Sequence, residues 1–257
     1  MNADAWIKRF HRNREPLAVD WEEPLLLPKS AQKALSKSLA VFQLGETGDG
    51  VNLRRHARQT REWPGFEHYE EALELFIKEE NRHAADLARM VERLDGGLIS
   101  TQWTASVFKV LRRPLGLRFE LQVLLTAELI AEAYYELLRR AVDDGPISKA
   151  CARMVKDEVG HLAFHADLFG EVLRRWTPGA VHLWTLQFQL LHAVTMLVVW
   201  WDHLGCFRAL GIPWQDYRRL CRRARVSFLG RVGKASRAAA PNGTSPLSLL
   251  EPEGKTA

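Results

Sequence analysis

Two short pieces of this chain, Glu80-Asn81-Arg82-His83 and Glu158-Val159-Gly160-His161, each set an acid three residues ahead of a histidine. On a helix that spacing puts both side chains on one face. Each pair also falls in line with an apolar stripe. Around the first, Leu73, Phe76, Ile77, Ala84, Leu87 and Met90 recur at helical spacing; around the second, Cys151, Met154, Leu162, His165, Leu168 and Val172 do the same. Both pairs therefore point into a core. A carboxylate facing a helical core costs several kcal/mol unless it is paired, protonated or bound to a cation. Whatever this chain folds into must bring these charges to one centre, and the spacing predicts a single metal site built from two helices.

A bundle that uses such pairs draws one more glutamate from each of two further helices. The stripe Leu121, Leu124, Leu125, Tyr135, Leu138 is interrupted by Glu128 and Glu132, ahead of the second pair. The stripe Ala34, Leu35, Leu39, Val41, Phe42 leads to Glu46, ahead of the first. Glu128 and Glu46 precede their pairs at similar intervals, whereas Glu132 stands closer to its pair and ranks behind Glu128. The expected ligand set is Glu46, Glu80, His83, Glu128, Glu158 and His161. Four ionised glutamates balance two divalent ions, which makes a buried dinuclear site near neutral. His165, one turn past His161, reads first as a packing or hydrogen-bonding histidine and second as a ligand. Tyr134 and Tyr135 read first as core filling and second as a redox pair.

The order Glu, Glu-x-x-His, Glu, Glu-x-x-His over residues 30–175 resembles the ferritin-like di-iron carboxylate superfamily of rubrerythrins, ribonucleotide reductase small subunits and di-iron oxygenases. Glu79-Glu80-Asn81-Arg82-His83 is similar to the Asp-Glu-x-Arg-His motif of the oxygen-activating members, with Glu79 in place of Asp. Asp157-Glu158-Val159-Gly160-His161 is similar to the second copy without its Arg. The resemblance implies an all-α fold, a ferritin-like four-helix bundle with one long crossover plus additional C-terminal helices. It also implies two iron ions, or manganese, with dioxygen as co-substrate. Glu79 and Asp157, each just ahead of a ligand glutamate, are the residues it implies for orienting a histidine.

Taken in order, residues 1–28 form an N-terminal arm carrying Trp6, Phe10 and Trp21 across the outside of the bundle, and residues 29–176 form the bundle. Within it the patterns predict helices from about Pro28 to Glu46, Phe66 to Leu94, Leu117 to Ala141, and Pro146 to Trp176. Residues 98–116 are the crossover, with a short amphipathic piece at Trp103, Val107, Phe108, Val110 and Leu111. Residues 177–232 supply further helices and 233–257 a disordered tail rich in Ala, Pro, Gly and Ser. The run from Val181 to Leu210 is the most hydrophobic, but Gln187, Gln189, His192, Asp202 and His203 interrupt it, so a covering helix at a homodimer contact is expected in place of a membrane span. The helix from Trp214 to Leu229 holds Arg218, Arg219, Arg222, Arg223 and Arg225, which contribute to the net charge of +5. Without interleaved aromatics they read as a solvated face, and a nucleic-acid partner is not supported.

With 47% hydrophobic residues the 257-residue chain can bury a large core. Cys151, Cys206 and Cys221 are scattered and suit a reducing cytoplasm, and no secretory signal pattern opens the chain. The expected activity is that of an oxygen-dependent oxidase or oxygenase on an unidentified organic substrate, served by an electron-donor protein. A ferroxidase and a metal-stabilised structural protein are the alternatives. Phe188, Leu190, Met196, Val199, Trp200 and Trp201 are expected to line an enclosed apolar pocket next to Glu80 and Glu128.

Overall fold

The computed structural model describes residues 2–15, 18–47, 50–60, 66–102 and 117–238. Among these the protein is all-α, with nine helices and no strand: α1 (Ala3–Arg12), α2 (Lys29–Glu46), α3 (Val51–Thr60), α4 (Tyr69–Arg93), α5 (Leu117–Ala141), α6 (Gly145–Leu173), α7 (Pro178–Asp202), α8 (Leu204–Ala209) and α9 (Trp214–Ala238). The amphipathic piece expected between Trp103 and Leu111 lies outside the described residues, as does the tail from 239 onward.

Four long helices carry the centre. α2 packs along α4, and Lys29 at the start of α2 meets Asp95 just past the end of α4, so the two run antiparallel. α5 and α6 pack closely and are joined by a short turn at residues 142–144, which makes them antiparallel as well. α4 meets α6 in the same sense, with Arg93 against Asp144 at one end and Phe76 against His165 at the other. It follows that α4 and α5, joined by the long connection after α4, run parallel. α2 and α5 touch through side chains: Phe42 stacks on Tyr134 with ring centroids 3.9 Å apart, and Ser38 Oγ lies 2.6 Å from the Tyr134 hydroxyl.

Local sequence explains the helix ends. Asp144 caps α6, accepting from the Ile147 amide at 3.0 Å, and Pro146 sits in the first turn, where its missing N–H costs nothing. α4 closes with Asp95 at φ 55° and the Gly96 amide donating back to the Val91 carbonyl, a left-handed helix stop. α9 lies on α6 at Gly170, where a Cβ would collide with Ala235. That contact lies on the part of α9 beyond residue 232, so residues 233–238, expected in the tail, are helical.

Three further expectations are revised. α3 was not anticipated. The apolar run after α6 divides at His203 into α7 and α8. The arm is helical where it crosses the bundle and reaches deeper than its surface: α1 packs on α4 and buries Phe10 among Phe66, Tyr69, Phe76 and Phe164. Arg93 fixes the following stretch, donating to the carbonyls of Trp21 and Glu23 while its guanidinium pairs with Asp144.

Candidate metal centre

α4 and α6 present Glu80, His83, Glu158 and His161 to one point, with a ligand atom of each lying within 4.8 Å of the others. His83, Glu158 and His161 are buried, and the Glu80 side chain keeps 15% exposure. The helical repeat produces this directly. His83 and His161 sit one turn beyond Glu80 and Glu158 on stripes that also bury Phe76, Leu87, Met154 and Leu162.

Both imidazoles turn Nδ1 inward. His83 Nδ1 lies 3.4 Å from Glu158 and 4.0 Å from Glu80, and His161 Nδ1 lies 2.8 Å from Glu80 and 3.5 Å from Glu158. Their outward nitrogens are held crosswise: His83 Nε2, on α4, meets Asp157 of α6 at 3.3 Å, and His161 Nε2, on α6, meets Glu79 of α4 at 3.0 Å. A proton on Nε2, donated to the acid, leaves a lone pair on Nδ1 facing the glutamates.

Above the two acids sits a residue that the sequence did not single out. Asn13, at the end of α1, donates from one amide nitrogen to Glu79 Oε1 at 2.7 Å and to Asp157 Oδ1 at 2.5 Å. Arg82 reaches the same acids, at 2.8 Å from Asp157 and 3.3 Å from Glu79. Arg153 donates to the Asn13 carbonyl at 2.9 Å and lies 3.7 Å from Asp157. Next to His161, Gly160 lets Arg9 of α1 rest on α6, since any Cβ there would meet its guanidinium. No helical spacing relates Asn13 to the motif, because its partners are 66 and 144 residues away.

The remaining predicted residues divide. Glu128 borders the cluster, with Oε2 3.7 Å from His161 Nδ1. Glu46 stands at its edge, accepting from the Tyr135 hydroxyl at 2.7 Å and acting on Glu80 through its charge. Glu132, one turn past Glu128, faces α9, where Arg231 and Arg223 act on it. His165 is fully buried against Phe76 and Phe164, with neither ring nitrogen hydrogen-bonded, and is not among the four clustered residues.

Charge at the centre is in tension. Burial pushes Glu80 well up, helped by Glu128 and Glu46, and burial with Glu128 pushes Glu158 up to about 7. Burial acts on Glu128 in the same direction, but His161 outweighs it and holds this carboxyl at about 2. Burial lowers both ligand-side histidines, yet the surrounding acids win and raise His83 and His161 well above the ordinary value. Asp157 falls below the carboxylate range because His83, Asn13 and Arg82 outweigh its burial.

No family model matches the chain, and no curated protein or solved structure does either.

The expected apolar pocket beside Glu80 and Glu128 is not what α7 provides. Leu190 and Trp201 face outward, Phe188 packs with Trp184 and Phe228, and Trp200 stacks on Phe207. A cleft of about 1040 Å³ opens elsewhere, between α2, the end of α4 and the α7–α8 junction, and is floored by Ser38, His203 and Cys206.

Proposed function

We propose that this chain is a ferritin-like di-iron protein, with manganese the other metal its donors suit, that activates dioxygen to oxidise an organic substrate. The observation that carries the reading is the convergence of buried donor atoms that make no hydrogen bond outside the cluster: Glu80 Oε1, His83 Nδ1, Glu128 Oε2, both Glu158 oxygens and His161 Nδ1, which face one another across 2.8–4.0 Å. Orphaned buried acceptors cost about 1–3 kcal/mol each, so converging ones call for a cation. Carboxylate-rich donors with one imidazole per helix pair suit iron or manganese better than zinc or copper. The antiparallel pairs α2–α4 and α5–α6, joined by a long connection between parallel helices, support the ferritin-like topology.

Glu46, Glu80, His83, Glu128, Glu158 and His161 would hold the two ions, and when bound in the ferrous state these supply two electrons to dioxygen. The chain's own contribution is positioning and exclusion. Glu79 and Asp157 would hold each imidazole with its proton on Nε2 once an ion occupies the Nδ1 side. The Tyr135 hydroxyl donates to Glu46 and fixes that carboxylate at the edge of the cluster. Phe10 and Phe76 lie against the buried His161 ring and shield it from water. Three free cysteines, all buried, agree with a reducing cytosol, where an electron-donor protein would serve the centre.

Anaerobic loading with ferrous ion, followed by dioxygen, tests the reading. About two irons per chain, oxidised once by dioxygen and turning over only when both a reductant and an organic substrate are supplied, is the expected outcome. Glu46, only partly buried at the edge of the cluster, offers ions a way in and makes a ferroxidase the second reading. Repeated oxidation of excess ferrous ion into a retained mineral would decide for it.

A further inference from the structure

α7 carries a large apolar surface that nothing in the described structure covers. Leu183, Leu186, Leu190, Val194, Leu197 and Trp201 are 67%, 50%, 67%, 50%, 46% and 70% exposed. Their spacing of three and four residues draws one straight seam along the helix, the pattern by which helices pack on helices. The opposite face is already used: Trp184, Phe188, His192 and Thr195 are buried, and α7 packs on α5 and α9.

We infer that this seam pairs with the same seam of a second copy of the chain, the two α7 helices crossing antiparallel about a two-fold axis at the level of residue 192. The seam is nearly palindromic about that point. Leu190 and Val194 stand two positions to either side, Leu186 and Leu197 six and five, and Leu183 and Trp201 nine. A two-fold contact needs a surface complementary to itself, and an antiparallel helix pair supplies it when the seam reads the same from both ends. Leu190 then meets Val194 of the partner subunit, and Leu183 meets Trp201 of the partner subunit. The exposed fractions amount to roughly 600 Å² of apolar area, at the upper limit for a free monomer and near the ~800 Å² per partner of a stable interface.

α7 is also long and apolar enough to cross a bilayer, with a mean hydropathy of 1.4 over its best window. A helix lying on a membrane surface carries lysines and arginines along its polar side. α7 has none between Pro178 and Asp202, and its other side is packed on protein. The composition fits a protein partner without charge.

Sedimentation velocity on the full chain across a concentration series tests this. A dimer is expected, and Leu190→Glu should raise its dissociation constant about tenfold or more while helical circular dichroism and cooperative melting persist. Disulfide trapping fixes the geometry: Leu190→Cys mixed with Val194→Cys should cross-link, and neither variant alone should do so. Native Cys151, Cys206 and Cys221 are buried and do not compete. A monomer at every concentration, with or without flotation on phosphatidylcholine–phosphatidylserine vesicles, overturns the inference. So does a dimer that survives Leu190→Glu, or cross-linking of Leu190→Cys to itself.

Discussion

Asn13 offers the sharpest test of the centre, because two substitutions at one atom make opposite demands on pH. Its amide donates to Glu79 and Asp157 together, and each of those acids holds one histidine. A hydrogen bond to a charged group contributes about 1.5–3 kcal/mol, and Asn13 is half-exposed, with Arg82 still reaching both acids after its loss. Asn13→Ala should therefore cost about 2–3 kcal/mol. Asn13→Asp places a third carboxylate near 3 Å from the other two, where each like-charge contact costs about 5 kcal/mol at an effective dielectric of 20. Protonation relieves part of that, so the folded pKa of the new carboxyl rises above its unfolded value. Its penalty is then small below the unfolded pKa and grows as pH rises through the folded one. Urea unfolding of the metal-free chain at several pH values should show the Asp variant well below the Ala variant at pH 8. The two should converge toward pH 4. Chelator competition should show both binding metal more weakly than wild type. If the two variants match each other and the wild type within about 0.5 kcal/mol at pH 8, the amide is a bystander and the argument for the outer layer fails.

The metal-free protein should lose stability as pH rises from 6 to 8. Glu80, Glu158, His83 and His161 all have raised folded pKa values, so their contribution is present below the unfolded pKa and lost as pH climbs through the folded one; thermal melts of metal-free and loaded protein check it, and loading should flatten the slope. Arg93→Ala should cost about 3–5 kcal/mol, because it leaves buried Asp144 unpaired and frees the carbonyls of Trp21 and Glu23; limited proteolysis should cut the segment before α2 first. Glu128→Ala should lower bound metal while Glu132→Ala leaves it at the wild-type value, read by elemental analysis, since Glu128 faces His161 and Glu132 faces the arginines of α9.

Residues in phase on one helix were legible from sequence. Glu80, His83, Glu158 and His161 interrupt apolar stripes of period 3.6, and the structure clusters them for that reason. α2 begins and ends, and α5 ends, where the patterns place them. α3 was missed because the segment 51–60 is short and sets Arg54, Arg55, His56 and Arg58 around only Val51, Leu53 and Ala57, directly after the helix-breaking Gly48 and Gly50. At the division the His203 imidazole turns to Ser38 at 2.7 Å, a partner 165 residues away that no local pattern shows. The composition rich in Ala, Pro, Gly and Ser from Gly233 onward suggested an ending that α9 does not take, since its last turns gain contact with α6 at Gly170. Asn13 shows the general limit. A side chain whose partners come from two distant helices leaves no pattern in its own neighbourhood.

The crossed acids have a consequence for assembly. Each imidazole's outer nitrogen is gripped from across the contact, His83 by α6 and His161 by α4. Neither helix can set its own ligand, so an isolated pair α2–α4 or α5–α6 would hold its histidine free to rotate and in mixed tautomers. The arrangement is an interlock: α4 and α6 must dock in register before either Nδ1 is aimed. Metal uptake then reports on that register, and a slide of one residue along the contact would release both grips at once.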